Sequence, residues 1–478
     1  MTDQSFNQKP RVYVVGAGLA GAECALQLAS LGYPVTLFEM RDKVMTPAHR
    51  SNKIAELVCS NSFGSLSPTS ASHQLKWEAE QLGSYVLRAA KEAYVPAGQA
   101  LGVDREVFAK TMTEFVKAHP LIEVRNEVIE SLDQVPRPAV IATGPLTHDP
   151  LAQDIFKHFG SEFCYFFDAI APIIETESID MDIAWKADRY DKGTPDYINC
   201  PLNKEQYNHL IEEIKNARKI KPKHFETTPF FEGCMPIETM VERGPQTLRF
   251  GPMKPVGLPN PRTGRYPFAV VQLRQDNKEG TAFNMVGFQT RMAYGEQIRV
   301  FRMIPGLEKA EFLKLGSIHR NMYVNSPAQL NKNLSSKKDP WLFFAGQITG
   351  VEGYFDSTSI GLLVAHFLDQ KLRGADFVPP PRASAMGSLL EAITEESRAK
   401  HFQPTNINFA LFPTLEFEVK DKTERKKIQL SRAQEALMNW KSNLAPAEIL
   451  PTPQQEWTAD FLHPKKLSEL ITLNLGNP

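Results

Sequence analysis

Short apolar runs that end in glycine recur along the chain, and they predict where a parallel sheet forms. Residues 11–15, RVYVV, carry the β-branched density of a strand buried on both faces. They run into Gly16-Ala17-Gly18-Leu19-Ala20-Gly21, and the AECALQLASLG that follows has helical spacing up to a stop at Gly32. YPVTLFEM is then a second strand ending at Glu39. Two later segments repeat the strand-to-glycine pattern: residues 138–144, PAVIATG, and residues 340–347, PWLFFAGQ. The second opens through Gly350 and Gly353 onto an apolar helix over residues 359–368. Between them the texture changes, with mixed charges, a helical segment over 204–218 and then many prolines and glycines. The expected fold is α/β: a Rossmann-like, discontinuous dinucleotide-binding domain with a parallel sheet, interrupted by an inserted α+β domain. The expected boundaries are 1–180 and 326–445 for the two parts of the first domain, 181–325 for the insertion and 446–478 for a tail.

The first strand, glycine turn and helix have the chemistry of a phosphate cradle. Gly16 allows a tight turn, Gly18 lets backbone approach a pyrophosphate, and Gly21 lets helix and strand pack closely. Ala17, Leu19 and Ala20 complete the turn and present the free N–H groups of a helix start to the phosphates. Glu39, eighteen residues beyond Gly21, is placed to accept from a ribose diol. This fingerprint does not separate NAD from FAD. The strand ends at Thr143-Gly144 and at Gly346-Gln347 supply further backbone N–H groups at the same sheet edge, and the combination resembles the FAD-binding fold of two-domain flavoproteins.

Composition narrows the partners. At 42% hydrophobic and 23% charged residues the chain reads as an ordinary globular protein, and 54 Lys+Arg against 55 Asp+Glu point to neither a nucleic acid nor a membrane. The five cysteines, Cys24, Cys59, Cys164, Cys200 and Cys234, form no CxxC pair and no Cys/His cluster, so neither a disulfide framework nor a metal site is expected. A polar N-terminus and an early apolar stretch broken by Glu23 predict no signal peptide and no membrane span. The expected compartment is the reducing cytoplasm.

Locally the picture is less neutral. Residues 243–275 contain no acid, while Arg243, Arg249, Lys254, Arg262, Arg265 and Arg274 interleave with Phe250, Tyr266 and Phe268. Such a stretch serves as an RNA-facing surface or as a solvated loop face that holds a cofactor's phosphates. Cys59, in ELVCSNSFG, and Cys234, in FFEGCMPIE, lie among turn-forming residues rather than on a helix face, which makes them the candidate reactive thiols.

GAGLAGAE, ELVCSNSF, IATGPLT, FFEGCMPIE, TLRFGPMKPVGL, FFAGQITGVEGY and HFQPTNINFALFP occur in this order, and together they resemble the TrmFO family of folate- and FAD-dependent tRNA (uracil-5-)-methyltransferases. The likeness covers roughly residues 10–440. The GidA/MnmG family of wobble-uridine modification enzymes is more distantly similar. The resemblance implies FAD as cofactor, methylenetetrahydrofolate and NAD(P)H as co-substrates, and a uridine in the tRNA T-loop, at position 54, as acceptor. It implies Cys234 as the nucleophile, with Cys59 as a second active-site thiol. Ribosomal RNA as acceptor, a GidA-like activity, a plain NAD(P)H:FAD oxidoreductase and a non-catalytic RNA-binding flavoprotein are the alternatives.

Overall fold

The computed structural model describes residues 9–447 apart from 47, 161–163, 192–193, 221–234 and 278–279. Val12–Val15 and Val35–Phe38 form the strands expected of them, and Ile122–Arg125, Ala139–Ile141 and Leu342–Phe344 join them in one parallel sheet. The order across the sheet is Leu342–Phe344, Ala139–Ile141, Val12–Val15, Val35–Phe38 and Ile122–Arg125. Its inner strands are apolar at nearly every position because helices cover both faces. The helix Leu19–Ser30 is buried from Ala20 onward, and it packs on Tyr354–Leu372, itself buried from Phe355 to Gln370. Small residues set the distance between them: a Cβ at Gly361 would stand 2.2 Å from the Ala20 carbonyl oxygen. This second helix begins at Tyr354 rather than at 359, since Gly353, at φ +113°, ends the preceding turn there.

The chain leaves this core along Cys164–Ile170 and returns along Ser317–Tyr323, paired antiparallel from Cys164 opposite Tyr323 to Ile170 opposite Ser317. Adjacent exit and return strands let an insertion fold without disturbing the parent sheet. The insertion is a six-stranded sheet ordered Trp185–Lys186, Tyr197–Leu202, Ala269–Gln275, Ala282–Met285, Ile173–Glu175 and Phe312–Lys314. The helix Lys204–Asn216 starts at a capping box of Asn203 and Gln206 and buries Tyr207, Leu210, Ile211 and Ile214 in this second core. The architecture is thus α/β, with a discontinuous parallel sheet and an inserted α+β part. The last described element is the helix Lys422–Lys441, and residues 448–478, most of the expected tail, lie outside the described residues. No described helix is long and apolar enough to cross a membrane.

Candidate active site

A cleft of about 1050 Å³ runs along the carboxyl edge of the parallel sheet. Gly16, Ala17, Gly18, Leu19 and Ala20 form one end of its wall, Glu39 stands beside them, and Gly346 and Gln347 close it from the last strand. Thr143 and Gly144 lie between. The three fingerprint glycines have three different tasks. Gly16 holds φ +98°, and a Cβ there would strike the Ala142 carbonyl oxygen at 2.7 Å. Gly18 faces open space, with nothing within 4 Å of where its Cβ would be. Gly21 stands behind the wall, where a Cβ would lie 1.8 Å from the Gly16 oxygen. The helix these residues open has no side-chain cap and no acid in its first turn, so its N–H groups and positive dipole end face the cleft unopposed.

Glu39 is more occupied than the sequence suggests. It is buried, accepts from the Ala17 N–H at 3.0 Å and the Arg41 N–H at 3.0 Å, and takes the Arg41 guanidinium on both oxygens at 2.9 and 3.0 Å. Burial pushes its pKa up, but the Arg41 fork and the two backbone donors outweigh it and hold the carboxyl below its ordinary range. A ribose diol is therefore received at Glu39 only by displacing one of these donors. Arg41 Nη1, buried and without a hydrogen bond, lies 3.9 Å from Glu56. His49 also lines the cleft, and burial first, then the Arg41 charge, takes its pKa down to about 4.

Cys59 is half-buried in a loop whose backbone is tied on every side. The Tyr354 hydroxyl, on the cleft wall, accepts from the N–H groups of Cys59 at 2.6 Å and Ser60 at 3.2 Å. Arg105 donates to the carbonyls of Leu57 at 3.1 Å and Cys59 at 3.4 Å, and its Nη2 also meets Asp276 at 3.0 Å. Lys314 donates to the Val58 carbonyl at 3.0 Å, and Asn61 to the carbonyls of Val103 and Gln275. Asp276, Gln275 and Lys314 belong to the inserted part, so the loop is clasped between the two cores. It is also joined to the fingerprint, since Ala55, at φ +58°, donates its N–H to the Ala17 carbonyl at 2.9 Å. Arg41, Arg105, Tyr354 and Lys314 went unnoticed in the sequence. Nothing local marks them, because their partners are distant in the chain or, for Arg41, sit on a strand end from which an arginine ordinarily points to water.

Cys234 lies outside the described residues. Cys24 and Cys200 are fully buried, and burial pushes both thiols far up, as suits inert core positions. The acid-free stretch is less of a basic face than its sequence implies. Burial lowers the pKa of Arg274, and its Nε is buried without a hydrogen bond. Arg249 turns back over the Phe268 ring at 4.2 Å and donates to the Phe268 carbonyl. Arg262 spends its guanidinium on the carbonyls of Met181, Ile183 and Ala184. Arg243, Lys254, Arg262 and Arg265 are all exposed, as are Phe250 and Tyr266.

The fold and site have relatives. Residues 11–376 match the family "Glucose inhibited division protein A". A protein of Bdellovibrio bacteriovorus named methylenetetrahydrofolate--tRNA-(uracil-5-)-methyltransferase TrmFO is 72% identical over 440 residues, 92% of this chain and 100% of the relative. One of the same name from Rhizorhabdus wittichii is 52% identical, covering 90% of this chain and 98% of the relative. Among solved structures, Aquifex aeolicus GidA superposes with a TM-score of 0.62 at 14% identity, covering 98% of this chain and 76% of that one, which speaks for the fold. The chain belongs to the glucose-inhibited division protein A family and, within it, to the TrmFO methyltransferases.

Proposed function

We propose that this enzyme forms 5-methyluridine in tRNA, at position 54 of the T-loop, taking the carbon from methylenetetrahydrofolate and reducing equivalents from NAD(P)H, with FAD as resident cofactor. It works in the cytoplasm. The observation that carries this reading is the clasped Cys59 loop, which brings a thiol-bearing segment to the wall of a dinucleotide cleft at the seam of two cores. The cleft fits FAD on its own geometry: open space at Gly18, an uncapped helix start and the buried, unbonded Arg41 Nη1 all suit a nucleotide's phosphates and ribose. Gly16, Ala17, Gly18, Leu19, Ala20, Glu39, Gly346 and Gln347 would hold it, with Gly21 letting the helix pack closely behind the turn. When bound, the flavin supplies the redox chemistry and carries the one-carbon unit.

The protein's own residues then act on the uracil. Carbon 5 of uracil is a weak nucleophile, and a Cys234 thiolate adding to carbon 6 makes the ring an enolate that attacks the one-carbon unit through carbon 5; loss of the carbon-5 proton then restores the 5,6 double bond and expels the thiolate. Cys59, held by Tyr354 and Arg105, assists removal of the carbon-5 proton or shields the flavin. The test is nucleoside mass analysis of tRNA and rRNA after incubation with enzyme, methylenetetrahydrofolate and NAD(P)H. 5-Methyluridine at position 54 of tRNA is expected from the wild type and from Cys24→Ala, and none from Cys234→Ala at full flavin content. Product in rRNA alone would reassign the acceptor, and normal turnover by Cys234→Ala would remove the nucleophile assignment.

A further inference from the structure

A second cavity, of about 1130 Å³, lies beside the Cys59 loop, and Glu56 and Val58 line both it and the cofactor cleft. It opens at the seam of the two cores, with Arg50, Lys53 and Arg105 on one side and Asp276 and Lys314 on the other. Formal charge on its wall balances, since Arg50, Lys53, Arg105 and Lys314 face Glu56, Asp104, Glu106 and Asp276. The carboxylates, however, are already committed. Glu106 pairs with Lys53, and Asp276 with Arg105. Asp104 caps a helix through the N–H groups of Glu106 and Val107, and Glu56 accepts from Arg50 N–H, Ser51 N–H and the Ser51 hydroxyl.

Three donors remain. Among the described residues no carboxylate lies within ion-pair distance of the Arg50 guanidinium or the Lys314 ammonium. Buried Arg105 Nε has no hydrogen-bond partner. Like charges crowd here with only partial relief: burial, then Arg105 and Arg50, pull Lys314 down to about 8, and the opposing pull of Cys59 and Asp276 is smaller. Cations arranged this way gain from an oxyanion that accepts from all of them.

We propose that this cavity is a phosphate-binding site, with Lys314, Arg50 and Arg105 Nε as donors, which anchors a phosphorylated co-reactant whose reacting end lies beyond Val58 in the cofactor cleft. The site rests on the proposed function for its ligands; besides the resident FAD, two of them carry phosphate: the RNA backbone and the NAD(P)H pyrophosphate. A bound phosphate raises the Lys314 pKa, so binding takes up a proton near pH 8 and weakens as pH rises through that value. The charged groups facing Lys314 are Arg105, Arg50 and Asp276, with the Cys59 side chain beside them and His49 neutral at these pH values.

The experiment compares FAD-loaded wild type with Lys314→Gln, Arg50→Gln and Lys314→Arg, checking flavin content and melting temperature first. Arg50 is exposed and its side chain makes no hydrogen bond among the described residues, so Arg50→Gln keeps the test open if Lys314→Gln misfolds. Each Gln variant is expected to weaken binding of inorganic pyrophosphate, read by calorimetry without turnover, and to raise the KM of one phosphorylated co-reactant about tenfold. Lys314→Arg should bind as wild type at pH 7 and lose the weakening near pH 8. A raised KM for a tRNA transcript, with its log–log salt slope reduced by about one, identifies the RNA backbone. A rise confined to NAD(P)H identifies the pyrophosphate. Unchanged KM for both with unchanged pyrophosphate binding, or a rise confined to methylenetetrahydrofolate, overturns the site. Absence of 5-methyluridine from the wild type would instead count against the proposed function, and the calorimetric arm would still read the cavity.

Discussion

The cofactor cleft and the Cys59 loop sit side by side and are built by opposite means. The cleft comes from backbone: consecutive small residues at strand ends, where glycine is needed for its missing side chain. The loop comes from long side chains reaching between elements, with Arg105, Asp276, Lys314 and Tyr354 converging from places far apart in the chain. A site of the first kind fails when something is added, and one of the second kind fails when something is removed.

The largest effect belongs to the glycines, and it separates steric from ligand-binding roles. Gly21→Val is expected to give no folded flavoprotein, since even its first carbon meets backbone at 1.8 Å, beyond the roughly 1–3 kcal/mol of ordinary overpacking. Gly18→Val should fold with a nearly unchanged melting temperature without FAD, because its Cβ meets nothing within 4 Å, yet fail to take up the cofactor. Melting curves of flavin-free protein with absorbance titrations of FAD check both. Equal loss of fold in the two variants would erase the distinction.

Arg105 tests the other construction. Its pair with Asp276 is largely buried, with side chains 15% and 9% exposed, so Arg105→Ala should cost about 3 kcal/mol and release two carbonyls of the Cys59 loop. We expect kcat to fall at least about tenfold with FAD retained, and Cys59 to be alkylated faster. Asp276→Asn, which keeps an acceptor, should fall between the variant and wild type. Unchanged kcat together with unchanged alkylation would mean that the junction does not position Cys59.

The same contrast explains what could be read from the sequence. Strand, glycine turn, helix and Glu39 are legible because each piece constrains its neighbour in the chain, and the strand ends before Gly144 and Gly346 follow the same rule. Glu23 shows where that logic stops. In the sequence it merely interrupts an apolar run; in the fold it is fully buried and accepts from the N–H groups of Tyr85 and Val86, capping the helix Tyr85–Glu92. Formal charge along residues 243–275 is an incomplete guide for a related reason. Carbonyl acceptors and aromatic rings carry no formal charge, yet they occupy Arg262 and Arg249.

The smallest effect at neutral pH comes from histidine, and it divides the two cores again. His49, His73 and His366, all in the nucleotide-binding part, are held near 4 chiefly by burial, whereas the inserted core buries Glu238, whose pKa burial raises. The signs oppose. An unfolded histidine, near 6.5, binds protons that the folded one refuses, so that stability is full above about pH 6.5 and drains away as pH falls toward 4. Glu238 contributes most below the ordinary carboxylate range and loses that contribution as pH rises through its raised value. His366 isolates the first effect, because both its ring nitrogens are buried without a hydrogen bond beside Trp440. His366→Leu should change stability by less than about 1 kcal/mol at pH 7.5. At pH 5 it should leave the protein about 2 kcal/mol more stable than wild type, the free energy of keeping one histidine neutral a unit above its folded pKa. Denaturant melts of the FAD-loaded proteins at the two pH values read the difference directly. Curves that stay parallel at both would show that the nucleotide-binding core owes its acid sensitivity to a different group.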